Sequence, residues 1–239
     1  MGNVFFEFKK FTIFQPNAGM KVTTEACLFG AWVASKIAPN NKNKICIDIG
    51  TGTGLLTCML AQQHPTLNYI ALDNNQAAIQ DALVNFKALN FKNTIELLPL
   101  ALQNFVPKNK FDYIICNPPF FSNSLKGINN NKNNALHNDN LLLDTLLHFL
   151  KNNLTINGEA YLLYPSNKLT EIIKITNILS IQINTIIYLH QTQKHEAFRV
   201  MLQLTKTKNC QIENKIIIKD NEHYTSAFIS LLKPYYLQL

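Results

Sequence analysis

The sequence lacks most of the features that mark a secreted, metal-bound or membrane-spanning protein. Its five cysteines form no Cys-x-x-Cys pair and no Cys/His spacing of the kind that holds zinc. Residues 1–10 show no basic segment followed by an apolar stretch, and no uninterrupted apolar run approaches the length that crosses a bilayer. We therefore expect reduced thiols, no metal, no membrane association and a cytoplasmic location.

The sequence also lacks internal repeats and any linker rich in Gly, Ser or Pro that would divide it. With 239 residues, of which 47% are hydrophobic, the chain is long enough to bury a substantial core. We predict one domain over residues 1–239, in which residues 1–40 form an extension made of a hairpin and a helix. The hairpin is expected over the aromatic segment 5–14, and Leu28, Phe29 and Trp32 of the helix are expected in the core.

Positive charge is in excess, because 22 Lys and Arg residues face 15 Asp and Glu residues and the formal net charge is +7. Such an excess favours a polyanionic partner such as RNA, although a solvated basic surface is the alternative. Lysines near the N-terminus (Lys9, Lys10 and Lys21) and in the segment 126–132 are candidates for phosphate contacts. His190, His195 and Arg199 are equally compatible with RNA contacts and with ordinary surface positions.

From residue 44 onward, buried strands alternate with amphipathic helices. A helix over 23–37, capped by Thr23, precedes this alternation. The Asn-rich stretch 122–140 is expected to be a mobile loop. The pattern predicts an α/β fold with a mostly parallel seven-stranded sheet, helices on both faces and an antiparallel pair of strands at one edge. The strands are predicted over 44–48, 68–72, 94–98, 111–116, 159–164, 182–189 and 197–205, and the later helices over 55–63, 75–89, 141–150, 167–179 and 226–232.

A Gly-rich turn joins the first predicted strand of this alternation to its helix. Its sequence is D-I-G-T-G-T-G, from Asp48 to Gly54, and the acidic Asp73 ends the next strand. Glycines let the backbone approach a ligand, and a carboxylate at the position of Asp73 accepts ribose hydroxyls. The dinucleotide pattern G-x-G-x-x-G would need glycine at Leu55, so the spacing instead indicates S-adenosylmethionine. The predicted cofactor residues here are Asp48, Gly50, Thr51, Gly52, Gly54, Asp73 and Asn74; a plain tight turn and a helix cap are the alternatives.

The tetrapeptide Asn117-Pro118-Pro119-Phe120 ends the fourth predicted strand, at the edge where open α/β sheets bind ligands. An exocyclic amine is a poor nucleophile because its lone pair is delocalised into the ring. The Asn117 side-chain carbonyl and the Pro118 backbone carbonyl can each accept a hydrogen bond from it and orient that lone pair. Phe120 offers a face for stacking a base. We predict these four residues as catalytic, with Asn117 also close to the cofactor, and a rigid turn is the alternative.

Four blocks of the chain resemble the bacterial tRNA1(Val) (adenine(37)-N6)-methyltransferases. They are the opening from Phe11 to Trp32, the Gly-rich turn, the Asn-Pro-Pro-Phe motif and the ending from His223 to Leu237. The resemblance implies a Rossmann-like class I methyltransferase fold, S-adenosylmethionine as cofactor, and methylation of adenine 37 in the anticodon loop of a tRNA. We separately expect the enzyme to be a monomer.

The resemblance also implies residue roles outside the two central motifs. Lys21 and Thr23 are expected near the methionine part of the cofactor, and Ala101 and Leu102 near its adenine. Phe120, Lys126 and His137 are expected to contact the substrate. Three positions depart from the family pattern: Glu25 replaces Asp, Ala101 replaces Asp and Leu136 replaces Arg.

Three other functions remain open from the sequence. Methyltransferases that modify glutamine in peptide release factors use a related Asn-Pro-Pro-aromatic motif, generally with Tyr at the last position and an added N-terminal helical domain. Adenine methylation in DNA uses similar motifs, but the sequence shows no separate domain for reading duplex DNA. A protein that binds RNA without catalysis is the third alternative, against which the two intact motifs argue.

Overall fold

A mostly parallel sheet of eight strands forms the centre of the molecule. The computed structural model describes residues 3–118 and 131–239, and among these the side chains outside 131–141. Strands and helices are numbered in chain order. The strands are β1 (Phe5–Glu7), β2 (Thr12–Phe14), β3 (Ile45–Ile49), β4 (Asn68–Asp73), β5 (Ile95–Pro99), β6 (Phe111–Cys116), β7 (Leu154–Pro165), β8 (Gln182–His190), β9 (Ala197–Thr205), β10 (Ile212–Ile217), β11 (Lys219–Asp220) and β12 (His223–Tyr224). The helices are α1 (Thr24–Lys36), α2 (Leu55–Gln63), α3 (Gln76–Ala88), α4 (Asn131–Asn153), α5 (Leu169–Leu179) and α6 (Ser226–Leu232), with short 3-10 turns at Leu102–Asn104 and Ser166–Lys168.

The strand order of the sheet is β10-β8-β9-β7-β6-β3-β4-β5. The chain builds outward from β3 to β4 and β5, then returns to place β6 on the other side of β3. This reversal creates a crevice between β3 and β6, at the carboxyl ends of the strands, where such sheets bind ligands. Strand β9 runs antiparallel to both β7 and β8. The parallel sheet with an antiparallel pair is therefore confirmed.

Helices cover both faces of the sheet, as the alternating pattern predicts. On one face α1, α2 and α6 bury the apolar core that includes Leu28, Phe29 and Trp32. On the other face α4 and α5 cover a second core, in which Phe111 and Phe149 stack with ring centroids 6.0 Å apart. Strand residues alternate between the two cores because successive side chains point to opposite sides of a sheet.

The N-terminal hairpin is hydrogen-bonded to the C-terminal segment of the chain. Strands β1 and β2 form the expected antiparallel hairpin, with Phe5 opposite Phe14. At its turn the Lys9 amide donates to the Tyr235 carbonyl at 2.7 Å, and the Lys9 ammonium donates to the Lys233 carbonyl at 2.7 Å. These bonds fix the hairpin against the segment that follows α6. No helix among the described residues combines the length and the apolar character that crossing a bilayer requires.

The expected number of strands was wrong by one, because β10 adds an eighth strand beside β8. Its sequence I-E-N-K-I-I has neither the strict alternation nor the continuous apolar run that identifies a strand from sequence, and most of its positions are exposed. It pairs in parallel with β8, from Ile212 opposite Thr185 to Ile217 opposite His190. Backbone hydrogen bonds to β8, rather than burial of side chains, account for this edge strand.

The expected loop over 122–140 was also wrong in part, because α4 begins at residue 131 rather than 141. Among the side chains of this helix that the structure describes, Leu143, Leu147 and Leu150 are buried in the core. Once this part of the helix is packed, each further residue at its N-terminal end adds a backbone hydrogen bond without a new nucleation step. The helix therefore extends into an Asn-rich sequence that has little to bury. Strand β7 likewise begins at Leu154, before the expected residue 159.

Candidate functional site

Three predicted site residues directly follow three neighbouring strands and lie side by side. In the sheet register Ile49 lies opposite Leu72 on one side and Cys116 on the other. The next residues of these three strands are Gly50, Asp73 and Asn117. Neighbouring strands are about 4.8 Å apart, so the Gly-rich turn lies between the acidic strand end and the Asn-Pro motif.

The Gly-rich turn requires its glycines for two different reasons. Gly50, Gly52 and Gly54 have φ angles of 72°, 57° and 82°, in the left-handed region. A side chain at Gly50 or Gly52 would meet no heavy atom within 4 Å, so open space lies before this part of the backbone. At Gly54 a Cβ atom would lie 2.4 Å from the Phe86 ring. The first two glycines thus leave room for a ligand, and the third allows α3 to pack closely.

Asp48 lies fully buried beneath the turn. Its Oδ2 accepts hydrogen bonds from the Thr51 and Thr57 hydroxyls at 2.7 and 2.8 Å, while its buried Oδ1 has no partner in the part of the chain that the structure describes. Burial raises the pKa of Asp48 to about 6, and the two hydroxyl hydrogen bonds act in the opposite direction. An unpaired buried oxygen is costly, so this carboxylate is suited to a cationic ligand group.

Asp73 joins the acidic strand end to the Gly-rich turn. One of its oxygens accepts a hydrogen bond from the Gly52 amide at 2.8 Å, and the other accepts one from the Asn75 amide at 2.8 Å. A carboxylate oxygen has capacity for a second hydrogen bond, so both oxygens can still accept from a diol. Asn74 lies exposed beside it, and the helix cap is made by Asn75 rather than by Asp73 or Asn74.

The residues predicted near the cofactor's adenine lie one strand further along. Asp73 pairs with Pro99 at the end of β5, and Ala101 and Leu102 follow two and three residues later. Both are half-buried, and Ala101 directly precedes the turn Leu102–Asn104. Both residues lie at the same sheet edge as Asp73, and Ala101 supplies no side-chain acceptor there.

Asn117 and Pro118 are half-buried directly after β6. Among the described residues no hydrogen bond to the Asn117 side chain is present. The predicted residues Pro119, Phe120 and Lys126 lie outside the described part of the chain, and His137 lies in α4 where only the backbone is described. The structure therefore places the first two residues of the motif and leaves the other predictions as they stand.

The segment between β2 and α1 runs along α3 to the same sheet edge. The predicted residues Lys21 and Thr23 lie at its end, where the Lys21 ammonium donates to the Gln15 carbonyl and Thr23 caps α1. Glu25, in the first turn of α1, lies 3.9 Å from the Arg199 guanidinium at the start of β9. An ion pair thus connects α1 to the strand beside β7.

Four polar residues that hold the site together were not predicted from the sequence. Thr57 binds Asp48, and the buried Gln15 accepts from the Val22 amide at 2.7 Å. Asp81 accepts from the Asn17 and Ala18 amides at 3.0 and 2.8 Å. The fourth, Asn85, donates to the carbonyls of Thr53 and Phe14 and accepts from the Phe14 amide, which links the N-terminal segment to the turn. The available signal was a polar residue within an otherwise apolar helix face, as at Thr57.

Comparison with known proteins identifies the chain. The methyltransferase small domain model matches residues 30–164, more than half of its length. The tRNA1(Val) (adenine(37)-N6)-methyltransferase of Cytophaga hutchinsonii is 33% identical and covers 100% of this chain and 100% of that protein. The protein of the same name from Pseudoalteromonas translucida is 33% identical, covering 98% of this chain and 99% of that protein. This chain belongs to the tRNA1(Val) (adenine(37)-N6)-methyltransferase family.

The fold of this methyltransferase agrees with that of solved structures. The ribosomal protein L11 methylase of Lactobacillus delbrueckii subsp. bulgaricus aligns with a TM-score of 0.57 at 19% identity, covering 81% of this chain and 84% of that one. The Rossmann-like methyltransferase fold predicted from the sequence is thereby confirmed.

The residues present fit S-adenosylmethionine, the methyl donor that membership of a methyltransferase family implies. Open space lies before Gly50 and Gly52, the buried Asp48 Oδ1 is unpaired, and Asp73 keeps acceptor capacity on both oxygens. These features match a ligand with a cationic amino acid end and a ribose. Among the described residues no group of three or more His, Cys, Asp or Glu side chains is placed to hold a metal ion.

Proposed function

We propose that the chain transfers a methyl group from S-adenosylmethionine to the exocyclic N6 amine of adenine in tRNA, at adenine 37 of tRNA1(Val). The observation that carries the proposal is the register that sets Asn117 beside the Gly-rich turn, on a strand hydrogen-bonded directly to β3. The names of its full-length relatives support the substrate. We further propose that residues 1–239 act as one methyltransferase domain, as a monomer in the cytoplasm.

The amine is activated by two acceptors in this proposal. The Asn117 side-chain carbonyl and the Pro118 backbone carbonyl each accept a hydrogen bond from one of its N–H groups. These two bonds draw the nitrogen toward a tetrahedral shape and direct its lone pair away from the two carbonyls. S-adenosylmethionine supplies an electrophilic methyl group on a sulfonium. With the cofactor bound, the amine would take up this methyl group in exchange for one of its own protons, which would pass to water, so no general base is required of the chain.

The proposed cofactor contacts begin with the charged groups of the site. Asp73 accepts the ribose hydroxyls, while Asp48 provides negative charge toward the ammonium group through its unpaired Oδ1. Lys21 and Thr23 are proposed to contact the methionine end, and the residues after β5, Ala101 and Leu102, are proposed to contact the adenine. The remaining cofactor contacts are proposed for Gly50, Thr51, Gly52, Gly54, Asn74 and Asn117.

The substrate contacts extend beyond the described residues. Pro119 is proposed to stiffen the catalytic turn and Phe120 to stack on the splayed adenine, a contact that contributes roughly 1–3 kcal/mol per base in single-strand binders. Lys126 and His137 are proposed to contact the RNA near that base. An anticodon loop suits this arrangement because its bases are unpaired and can be displaced from the stack.

The deciding experiment measures methyl transfer from radiolabelled S-adenosylmethionine to tRNA that lacks its native modification, followed by nucleoside mass spectrometry. The unaltered chain is expected to produce N6-methyladenosine, and Asn117→Ala to lose at least about 100-fold in rate, the scale expected when a reacting group is misplaced. Asn90→Ala, an exposed amide after α3, is the matched control. Label in a release factor but not in RNA would move the chain to the glutamine-methylating class, and RNA binding without any transfer would indicate a non-catalytic protein.

A further inference from the structure

A cleft opens on the catalytic edge of the sheet, on the side of Asn117 away from the Gly-rich turn. It has a volume of about 290 Å³ and lies between the turn that joins β8 to β9 and the end of β10. Strand β8 runs parallel to β7, because β9 is antiparallel to both, and β10 is parallel to β8. The carboxyl ends of β8 and β10 therefore lie at the same edge as the end of β6. We call this feature the β8–β9 cleft.

The side chains that line the β8–β9 cleft are mostly basic. Lys194 and Lys215 are exposed, and neither ammonium group makes a hydrogen bond or ion pair with any described residue. The Nδ1 atom of His190 contacts the His195 carbonyl at 2.9 Å, and the Nδ1 atom of His195 contacts a threonine hydroxyl at 2.8 Å. Those contacts fix both rings and leave each Nε2 for another partner. A single carboxylate, Glu196, lines the cleft as well.

The distance from the cleft to the catalytic strand suits a nucleic acid. Strand β8 is the third strand from β6 and β10 is the fourth, so their ends lie about 14 Å and about 19 Å away at the usual strand spacing. A stretch of RNA backbone a few nucleotides long would cover either of these distances. A base held at Asn117 would thus place phosphates of its own strand within reach of Lys194 and Lys215.

We propose that the β8–β9 cleft binds the phosphate backbone of the RNA that flanks the methylated adenine. The inference rests on the proposed function and adds a contact surface to it. The unpaired ammonium groups supply point charges, and the His195 ring, when its Nδ1 accepts from the threonine hydroxyl, presents Nε2–H as a directed donor. These are the two elements of phosphate recognition. Contacts of this kind set the position of the RNA and give affinity that falls with salt.

A second group of lysines provides a matched control at the opposite edge of the sheet. Lys206 follows β9 and donates to the Leu154 carbonyl at 2.6 Å, and its pKa is lowered by burial and by the nearby Lys110 and Lys151. Lys110 directly precedes β6, so this group lies at the amino end of the catalytic strand. This group therefore lies at the opposite edge of the sheet from the phosphates that the proposal places beside Lys194 and Lys215.

The experiment compares Lys194→Gln/Lys215→Gln with Lys110→Gln/Lys151→Gln, which removes the same charge elsewhere. Steady-state methylation of unmodified tRNA1(Val) transcript gives kcat and KM, and filter binding over a range of salt concentrations gives the salt dependence. The cleft double variant is expected to raise the KM for tRNA roughly tenfold and to reduce the slope of log K against log salt by about 1.5, two contacts at about 0.7–0.9 each. The affinity for S-adenosylmethionine and kcat are expected to stay unchanged.

Glu196→Gln adds a test with the opposite sign, because removal of the single carboxylate should lower the KM for tRNA. The inference is overturned if the cleft variant and its control give the same KM and salt slope, or if Glu196→Gln weakens RNA binding. Thermal unfolding of each variant distinguishes lost contacts from lost structure. If the unaltered chain methylates no tRNA at all, the proposed function fails instead, and filter binding still reports whether the cleft holds RNA.

Discussion

Replacing Asp48 by asparagine tests whether the fold keeps a buried carboxylate for the cofactor. Burial raises the pKa of Asp48 from 3.8 to about 6, although hydrogen bonds from Thr51 and Thr57 lower it. A carboxyl group with a raised pKa in the folded state holds its proton more tightly there than in the unfolded chain. Its contribution to stability is therefore full below pH 3.8 and is lost as the pH rises through about 6.

The size of this effect follows from the shift. A rise from 3.8 to about 6 corresponds to roughly 3 kcal/mol, at about 1.36 kcal/mol for each pH unit. About half of this loss of stability, on the order of 1–2 kcal/mol, takes place between about pH 5 and about pH 8. An asparagine does not ionise, so Asp48→Asn lacks this part of the pH dependence. The variant should gain stability relative to the unaltered chain as the pH rises.

Urea unfolding of both proteins from about pH 5 to about pH 8 measures the difference directly. The difference in unfolding free energy between Asp48→Asn and the unaltered chain should shift by about 1–2 kcal/mol in favour of the variant over this pH range. That corresponds to roughly 3–6 °C in Tm for a chain of this size. Calorimetric titration should show S-adenosylmethionine bound about 10–100-fold more weakly by the variant, because a charged hydrogen bond is lost. Thr57→Val removes a donor to the ionised carboxylate and should move the fall in stability to higher pH.

Two results would refute different parts of this reasoning. Unfolding free energies that run parallel for Asp48→Asn and the unaltered chain at every pH would mean that folding is not coupled to the ionisation of Asp48. A pH-dependent gap with unchanged cofactor affinity would confirm the cost of burial but remove the role in binding. Both measurements are needed, since each addresses only one of these steps.

Two further predictions concern the packing that supports the site. Gly54→Ala should destabilise the fold by about 2–4 kcal/mol in urea unfolding, because it adds both backbone strain and a clash with Phe86. Gly50→Ala adds strain without a clash and should cost about 1–2 kcal/mol. Equal losses of stability in the two variants would contradict the packing role of Gly54. Asn85→Ala breaks three hydrogen bonds and should cost about 2–4 kcal/mol and speed proteolysis of the N-terminal segment, while the exposed Gln80→Ala on the same helix should change neither.

The parts of the site that the sequence predicted are those that local spacing determines. Gly50 and Asp73 follow buried strands in a pattern with few alternatives, and Asn117 begins a rigid tetrapeptide after another strand. Because the strands are parallel and adjacent, their ends had to meet once the strand order was known. Local signals were therefore enough to find residues that are distant in sequence and close in space.

The parts that the sequence did not predict depend on contacts between distant segments. Asp81 and Asn85 bind the N-terminal segment across 64 and 71 residues of sequence, and nothing in α3 itself indicates that partner. The early start of α4 was missed for a related reason. Composition describes what an Asn-rich stretch can bury, but a helix already packed at its other end needs little burial to continue.

The strand order also explains why the two proposed binding functions can change separately. Strand β6 is hydrogen-bonded to β3 on one side and to β7 on the other, so Asn117 lies at the boundary between a cofactor half and a half that extends to β10. Its distance from the Gly-rich turn is fixed by one strand pairing, which does not involve the β8–β9 cleft. We therefore expect loss of charge in the cleft to weaken the binding of RNA, and loss of the Asp48 carboxylate to weaken the binding of the methyl donor. Since the two sites share no side chain, their effects on binding free energy should add, and each half of the sheet can vary without disturbing the geometry at Asn117.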